Sequence, residues 1–122
     1  MTQEQKDILF KDLCGRLSHG VKISVNDKVE TLQGINILDN VVEYGSFLSS
    51  DIEDVKPYLL PLSSMTDEQT EELIKLINTG QNDNNEFMRS LCRIEFYHKN
   101  HFDYRGLIPM GLANDATGLN IY

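Results

Sequence analysis

Lys56-Pro57-Tyr58-Leu59-Leu60-Pro61-Leu62-Ser63-Ser64-Met65-Thr66 is the stretch on which the reading of the fold turns. The residues before it alternate as strands do, and the residues after it recur at helical spacing. Pro57 and Pro61 lack a backbone donor, so neither suits a helix interior or a central strand. Each also pushes the residue before it, Lys56 and Leu60, toward extended geometry. Val55, Tyr58, Leu59, Leu60 and Leu62 make the stretch too apolar for a free linker. It reads as a buried or half-buried crossing that ties two layers together. Thr66 with Gln69 then matches a capping box, and Asp67, Glu68, Glu71 and Glu72 place negative charge where a helix dipole favours it.

Upstream, 2–17 reads as a helix. Thr2 and Gln5 form a second capping box, and Ile8, Leu9, Leu13 and Leu17, with Cys14 beside them, define one apolar face. Gln3, Glu4, Lys6, Lys11 and Asp12 are left to solvent. Gly15 weakens the second half of this helix. Val21, Ile23 and Val25 alternate with polar neighbours, and Asn26-Asp27 is turn chemistry between two strands. Gly34 marks a bulge or bend, after which Ile35 and Ile37 resume the pattern. Val41, Val42 and Tyr44 make a third strand, Phe47-Leu48 begins a short fourth, and Asp51 can cap a single helical turn. Residues 21–48 therefore read as a curled antiparallel meander.

Downstream, 67–79 reads as a helix with Leu73, Leu76 and Ile77 on one face and Ile74 at its edge. Gly80 is a natural stop, and 81–85 is the most polar run of the chain. A third helix is expected from about residue 84 to 100, with Phe87, Leu91, Ile94 and Tyr97 or His98 facing a core and Asn100 ending it in left-handed geometry. The segment after it holds Leu107, Ile108, Met110, Leu112, Leu119, Ile121 and Tyr122. Leaving such side chains in water forgoes roughly 1.5–3 kcal/mol for each that could be fully buried. The segment should therefore pack down, with Asp103 accepting from backbone amides and Arg105 donating to a carbonyl or carboxylate. The expected fold class is α+β, in one globular domain over 1–122: a leading helix, a small curled antiparallel sheet of three or four strands, two further helices and a packed irregular tail.

Composition restricts function. Eleven Lys and Arg stand against 19 Asp and Glu, a formal charge of −8. Without a concentrated basic face, direct nucleic-acid binding is not expected. Cys14 and Cys92 fit no metal or redox spacing and read as two lone, packed thiols. No stretch has the length and hydrophobicity of a membrane span, and the charged N-terminal residues hold no signal core. A cytoplasmic setting follows.

His98, His101, Asp103, Tyr104 and Arg105 are the candidate ligand-binding residues. Two imidazoles three apart near a helix end could hold a metal with Asp103 beside them. A third and fourth ligand are missing, so no metal and no cofactor is expected, and no residue is assigned as catalytic. Ser63-Ser64 lacks a nucleophile-elbow setting and is better explained by local hydrogen bonding to the helix start.

Four blocks carry a family resemblance: Asp12-Leu13-Cys14-Gly15-Arg16-Leu17 with Gly20-Val21-Lys22; Lys56-Pro57-Tyr58-Leu59 with Pro61-Leu62-Ser63-Ser64-Met65-Thr66; Asn100-His101-Phe102-Asp103-Tyr104-Arg105-Gly106-Leu107-Ile108; and Gly111-Leu112-Ala113 with Asp115-Ala116-Thr117-Gly118-Leu119-Asn120-Ile121-Tyr122. Together they resemble an uncharacterised family of short acidic proteins from gut anaerobic bacteria and their phages. The resemblance implies an accessory protein of phage-derived or mobile DNA and supplies no catalytic residues. The leading expectation is a non-enzymatic interaction or regulatory module whose partner is another protein. The alternative is a small enzyme or metal-dependent protein using the His98, His101 and Asp103 neighbourhood.

Overall fold

A computed structural model of the chain describes residues 1–79 and 86–122. The stop expected at Gly80, the polar run over 81–85 and the exact start of the third helix lie outside the described residues.

The architecture is α+β. Helix α1 (Gln3–Arg16) opens on the Thr2 capping box, with both reciprocal hydrogen bonds present. A meander follows: β1 (Lys22–Val25), β2 (Lys28–Asn36), β3 (Val41–Tyr44) and β4 (Leu48–Asp51). Each pairs antiparallel with the next. Asn26 and Asp27 both take positive φ, 51° and 63°. That is the geometry of a two-residue hairpin turn whose twist matches the strands it joins. The β2–β3 register shifts between Leu32 and Gly34, the bulge that Gly34 signalled. Asp51 then caps a short helical turn over Ile52–Asp54 by accepting from the Glu53 amide.

The deciding stretch differs from its expectation. Val55–Pro61 is a strand, β5, that pairs antiparallel with the outer side of β1. The sheet is thus extended beyond three or four antiparallel strands. Among the described residues it has seven, in the order β4-β3-β2-β1-β5-β6, with β7 also on β5. Strands β6 (Phe102–Asp103) and β7 (Asn114–Asp115) run parallel to β5. The prolines are tolerated because of where they fall. Pairing with β1 ends at Pro57, and Pro61 is the last residue of β5. A missing donor at the end of a ladder removes little.

Helix α2 (Asp67–Thr79) opens on the Thr66–Gln69 capping box, whose reciprocal bonds measure 2.9 and 3.1 Å. Helix α3 (Glu86–Lys99) follows. Its exit differs from expectation by one residue. His101, not Asn100, takes the left-handed conformation, at φ 62°, and its carbonyl accepts from the Leu60 amide at 2.8 Å. The chain thus turns directly into β6.

Two apolar clusters result. The larger packs Leu9, Phe10 and Leu13 of α1 on the inner face of the meander, with Leu59, Leu107, Leu112 and Ala113. The segment after β6 therefore contributes to the core. The smaller cluster joins Leu73, Phe96 and Phe102. Phe87, Leu91 and Ile94, expected to face a core, are 67, 38 and 37% exposed. Leu76 is 42% exposed as well. The inward side of α3 is instead set by Phe96 and His98. Cys14 is exposed, not packed, and both cysteines are free. Among the described residues no helix is long and apolar enough to cross a membrane.

Candidate functional site

Three of the five candidate residues, His98, Tyr104 and Arg105, meet at the end of α1, together with residues not singled out in advance. Asp12 and Arg16 are one helical turn apart, and both are fully buried. Arg16 Nε donates to Asp12 Oδ2 at 2.7 Å, and Arg16 Nη2 donates to the Phe102 carbonyl at 2.6 Å. The second Asp12 oxygen accepts from Arg105 Nε at 3.2 Å, across 93 residues of sequence. Both guanidinium groups lie over the Tyr104 ring, at 5.4 and 5.1 Å from its centroid. Such contacts are favourable when partly desolvated. One buried carboxylate thus serves two cations, and Arg16 Nη1 is buried without a hydrogen-bond partner among the described residues.

Asp103 has a separate task. Its two oxygens accept from the Leu107 and Ile108 amides, both at 2.9 Å. These bonds satisfy backbone groups that an irregular path leaves without ladder partners. The carboxylate that Arg105 meets is Asp12.

The histidines diverge. His98 Nε2 hydrogen-bonds the Tyr104 hydroxyl at 2.8 Å, and the His98 ring lies against α1. A Cβ at Gly15 would stand 2.6 Å from His98 Cε1, so Gly15 is the space that lets α3 approach α1. His101 stacks on Tyr122 with centroids 3.6 Å apart. Tyr122 Oη donates to the Tyr58 carbonyl at 2.7 Å and accepts from the Lys22 amide at 2.8 Å, bridging β5 and the start of β1. Desolvation pushes the Tyr122 phenol up to about 12. Both histidines are lowered from 6.5 to about 4. Desolvation is the main cause for each, followed by Arg16 and His19. Arg105 adds to this at His98, and Lys22 at His101. Both imidazoles are therefore neutral near pH 7.

His98 is buried and its Nε2 is taken up by the Tyr104 hydroxyl. A groove of about 430 Å³ opens beside it, lined by His19, Leu76, Cys92, Glu95, Phe96 and Lys99. None of the five candidate residues lines it. Among the described residues no three His, Cys, Asp or Glu side chains are grouped to hold a metal ion. The cluster, as built, locks α1 to the segment after α3. Its missed members were signalled by the i,i+4 spacing of Asp12 and Arg16. That spacing on a helix usually means a solvated pair worth little, and only burial distinguishes this one.

The chain matches no protein-family model, no curated protein and no solved structure.

Two outcomes check this geometry. Gly to Ala in a helix interior ordinarily stabilises by about 1 kcal/mol. Gly15→Ala should instead lower the melting temperature, because the new methyl meets an imidazole held by Tyr104. A second change, His98→Ala, should return the normal sign of the glycine-to-alanine effect. A gain in stability from Gly15→Ala alone contradicts the close approach.

The second outcome concerns pH. Between about 4 and 6.5 the unfolded chain binds protons that the folded chain excludes at His98 and His101. Stability then falls as pH is lowered through that window and rises with pH across it. Denaturant titrations from about pH 7 to about pH 5, where most carboxylates remain ionised, should show a steeper loss in the wild type than in His98→Gln. Parallel curves contradict the depressed value.

Proposed function

We propose that this protein acts by binding another protein, as a non-enzymatic accessory or regulatory module, and that the exposed apolar residues of α2 and α3 are where the partner sits. The carrying observation is a mismatch between pattern and burial. Both helices place their apolar residues on one side, the pattern that burial selects. Yet Ile74, Leu76, Met88, Leu91 and Ile94 remain 37–52% exposed. Apolar side chains held together at a surface mark interaction sites. A groove formed by α2, α3 and the turn at His19 adjoins Leu76. Leu76 and Phe96 supply apolar lining, and His19, Glu95 and Lys99 supply polar groups. An apolar centre with a polar rim is the anatomy of a protein interface. An amphipathic helix of the partner, laid in the groove, is the occupant that suits it.

The family resemblance supports placing this role among accessory proteins of phage-derived or mobile DNA, in the cytoplasm. The free thiols of Cys14 and Cys92 suit a reducing compartment. The charge of −8 argues for a protein partner over a nucleic acid.

A photo-crosslinking side chain at position 76, introduced into the native host, should yield one dominant adduct with a different protein. Leu91→Glu should abolish that adduct while changing unfolding free energy by no more than about 1 kcal/mol, as expected for a half-exposed position. Adducts only with a second copy of this chain, or an adduct insensitive to Leu91→Glu, would sink the proposal.

A further inference from the structure

A second surface lies at the opposite end of the sheet and differs in chemistry. β4 is the terminal strand of the sheet order. Among the described residues its outer edge pairs with no strand, and Leu48, Ser49 and Asp51 are exposed. An unpaired edge presents a row of backbone donors and acceptors. Natural edges are commonly blunted by charge or by a covering element, whereas this one begins beside two large apolar side chains. Leu48 is 52% exposed and Phe47 is 106% exposed.

Phe47 also holds φ at 65°. A bulky aromatic residue in the left-handed region is a conformational outlier. Such strain persists where the surroundings impose it and clusters at ligand-contacting sites. Here a glycine or asparagine would relieve the strain and remove an exposed ring together. An exposed phenylalanine ring at a position whose conformation disfavours it is the observation that calls for an occupant.

Beside the edge lies a groove of about 800 Å³ on the outer face of the meander. Val42 and Tyr44 of β3 point into the core, so Val41 and Glu43 line this side. Asp39 stands at one end and Phe47 at the other, and no Lys, Arg or His is among the residues that line it. The lining is acidic as well as partly apolar.

We propose that the β4 edge and this groove accept an extended segment of a basic protein, one that alternates apolar residues with Lys or Arg. The segment adds to the sheet as a further strand. Its backbone pairs with β4; its apolar side chains fall on the face of Leu48, beside Phe47 at the start of the strand, and its cations fall on the opposite face, with Glu43 and Asp51. This is strand addition, in which the backbone gives affinity and alternate side chains give specificity. A second copy of this chain is disfavoured as occupant, because edge-to-edge pairing would bring together two chains of charge −8. Nucleic acid is disfavoured by the same charge. The surface is separate from the α2–α3 groove, so the proposal stands or falls apart from the helical one.

The test uses the whole chain and two labelled peptides of about seven residues, the length of an ordinary strand. One alternates lysine with valine, the other glutamate with valine. The lysine peptide should bind in a salt-sensitive manner and slow hydrogen exchange of the β4 amides. A version of it N-methylated along one backbone edge should not bind. Phe47→Asn should leave the melting temperature unchanged or raise it, yet weaken binding by roughly thirtyfold, the size of a hot-spot truncation. Leu48→Ser gives the same comparison from the strand itself. Equal binding of the glutamate peptide, absence of protection in β4, or full affinity in both variants would each overturn the proposal.

Discussion

A carboxylate with no access to solvent holds the ends of this chain together. Asp12 sits on the first helix, and its two oxygens receive Arg16 from the same helix and Arg105 from beyond the last one. Two charges removed from water are costly, and their attraction compensates only when hydrogen bonds are nearly complete. Here they are incomplete, because Arg16 Nη1 is buried without a hydrogen-bond partner among the described residues. Arg16 also donates to the Phe102 carbonyl, and Tyr104 covers both guanidinium groups. The network therefore does more for specificity than for net stability: it fixes one register between α1 and the segment after α3. Gly15 belongs to the same design, since only a residue without a side chain lets His98 close over α1.

From this anchor the remaining contacts follow. Once Arg105 is fixed, Asp103 can cap the Leu107 and Ile108 amides. Leu107, Leu112 and Ala113 then enter the main core, and β7 reaches β5. The last ring, Tyr122, stacks on His101 and ties β5 to the start of β1. Residues that look reactive in sequence are thereby engaged in holding an irregular segment in place. Exposed apolar side chains stand on α2, on α3 and at the β4 edge, among other places.

Much of the fold was legible because its signals are local. The two capping boxes, the Asn26-Asp27 hairpin turn, the Gly34 bulge and the alternation of β1 and β3 each depend on neighbours within a few residues. What was not legible depends on partners distant in sequence. Strands of two residues, such as β6 and β7, have no period to detect. Pro57 and Pro61 argue against a strand until the edge at which each ladder ends is known. Asp12 and Arg16 carry the spacing of an ordinary surface pair, and their burial is set by Phe102 and Tyr104, far along the chain. Phe87, Leu91 and Ile94 keep the pattern of a core face yet stay 37–67% exposed. Of the candidate site, sequence marked the block that holds it, whereas its central carboxylate was read as a solvated residue.

The central claim is that Asp12 and Arg105 are energetically coupled across the fold. A double-mutant cycle of Asp12→Asn and Arg105→Gln, read by chemical denaturation, measures it directly. Residues of one buried network couple by about 0.5–3 kcal/mol, and a coupling of at least about 1 kcal/mol is expected here. Additive effects, with coupling near zero, would show that the contact is incidental and that the segment after α3 is held by its apolar residues alone.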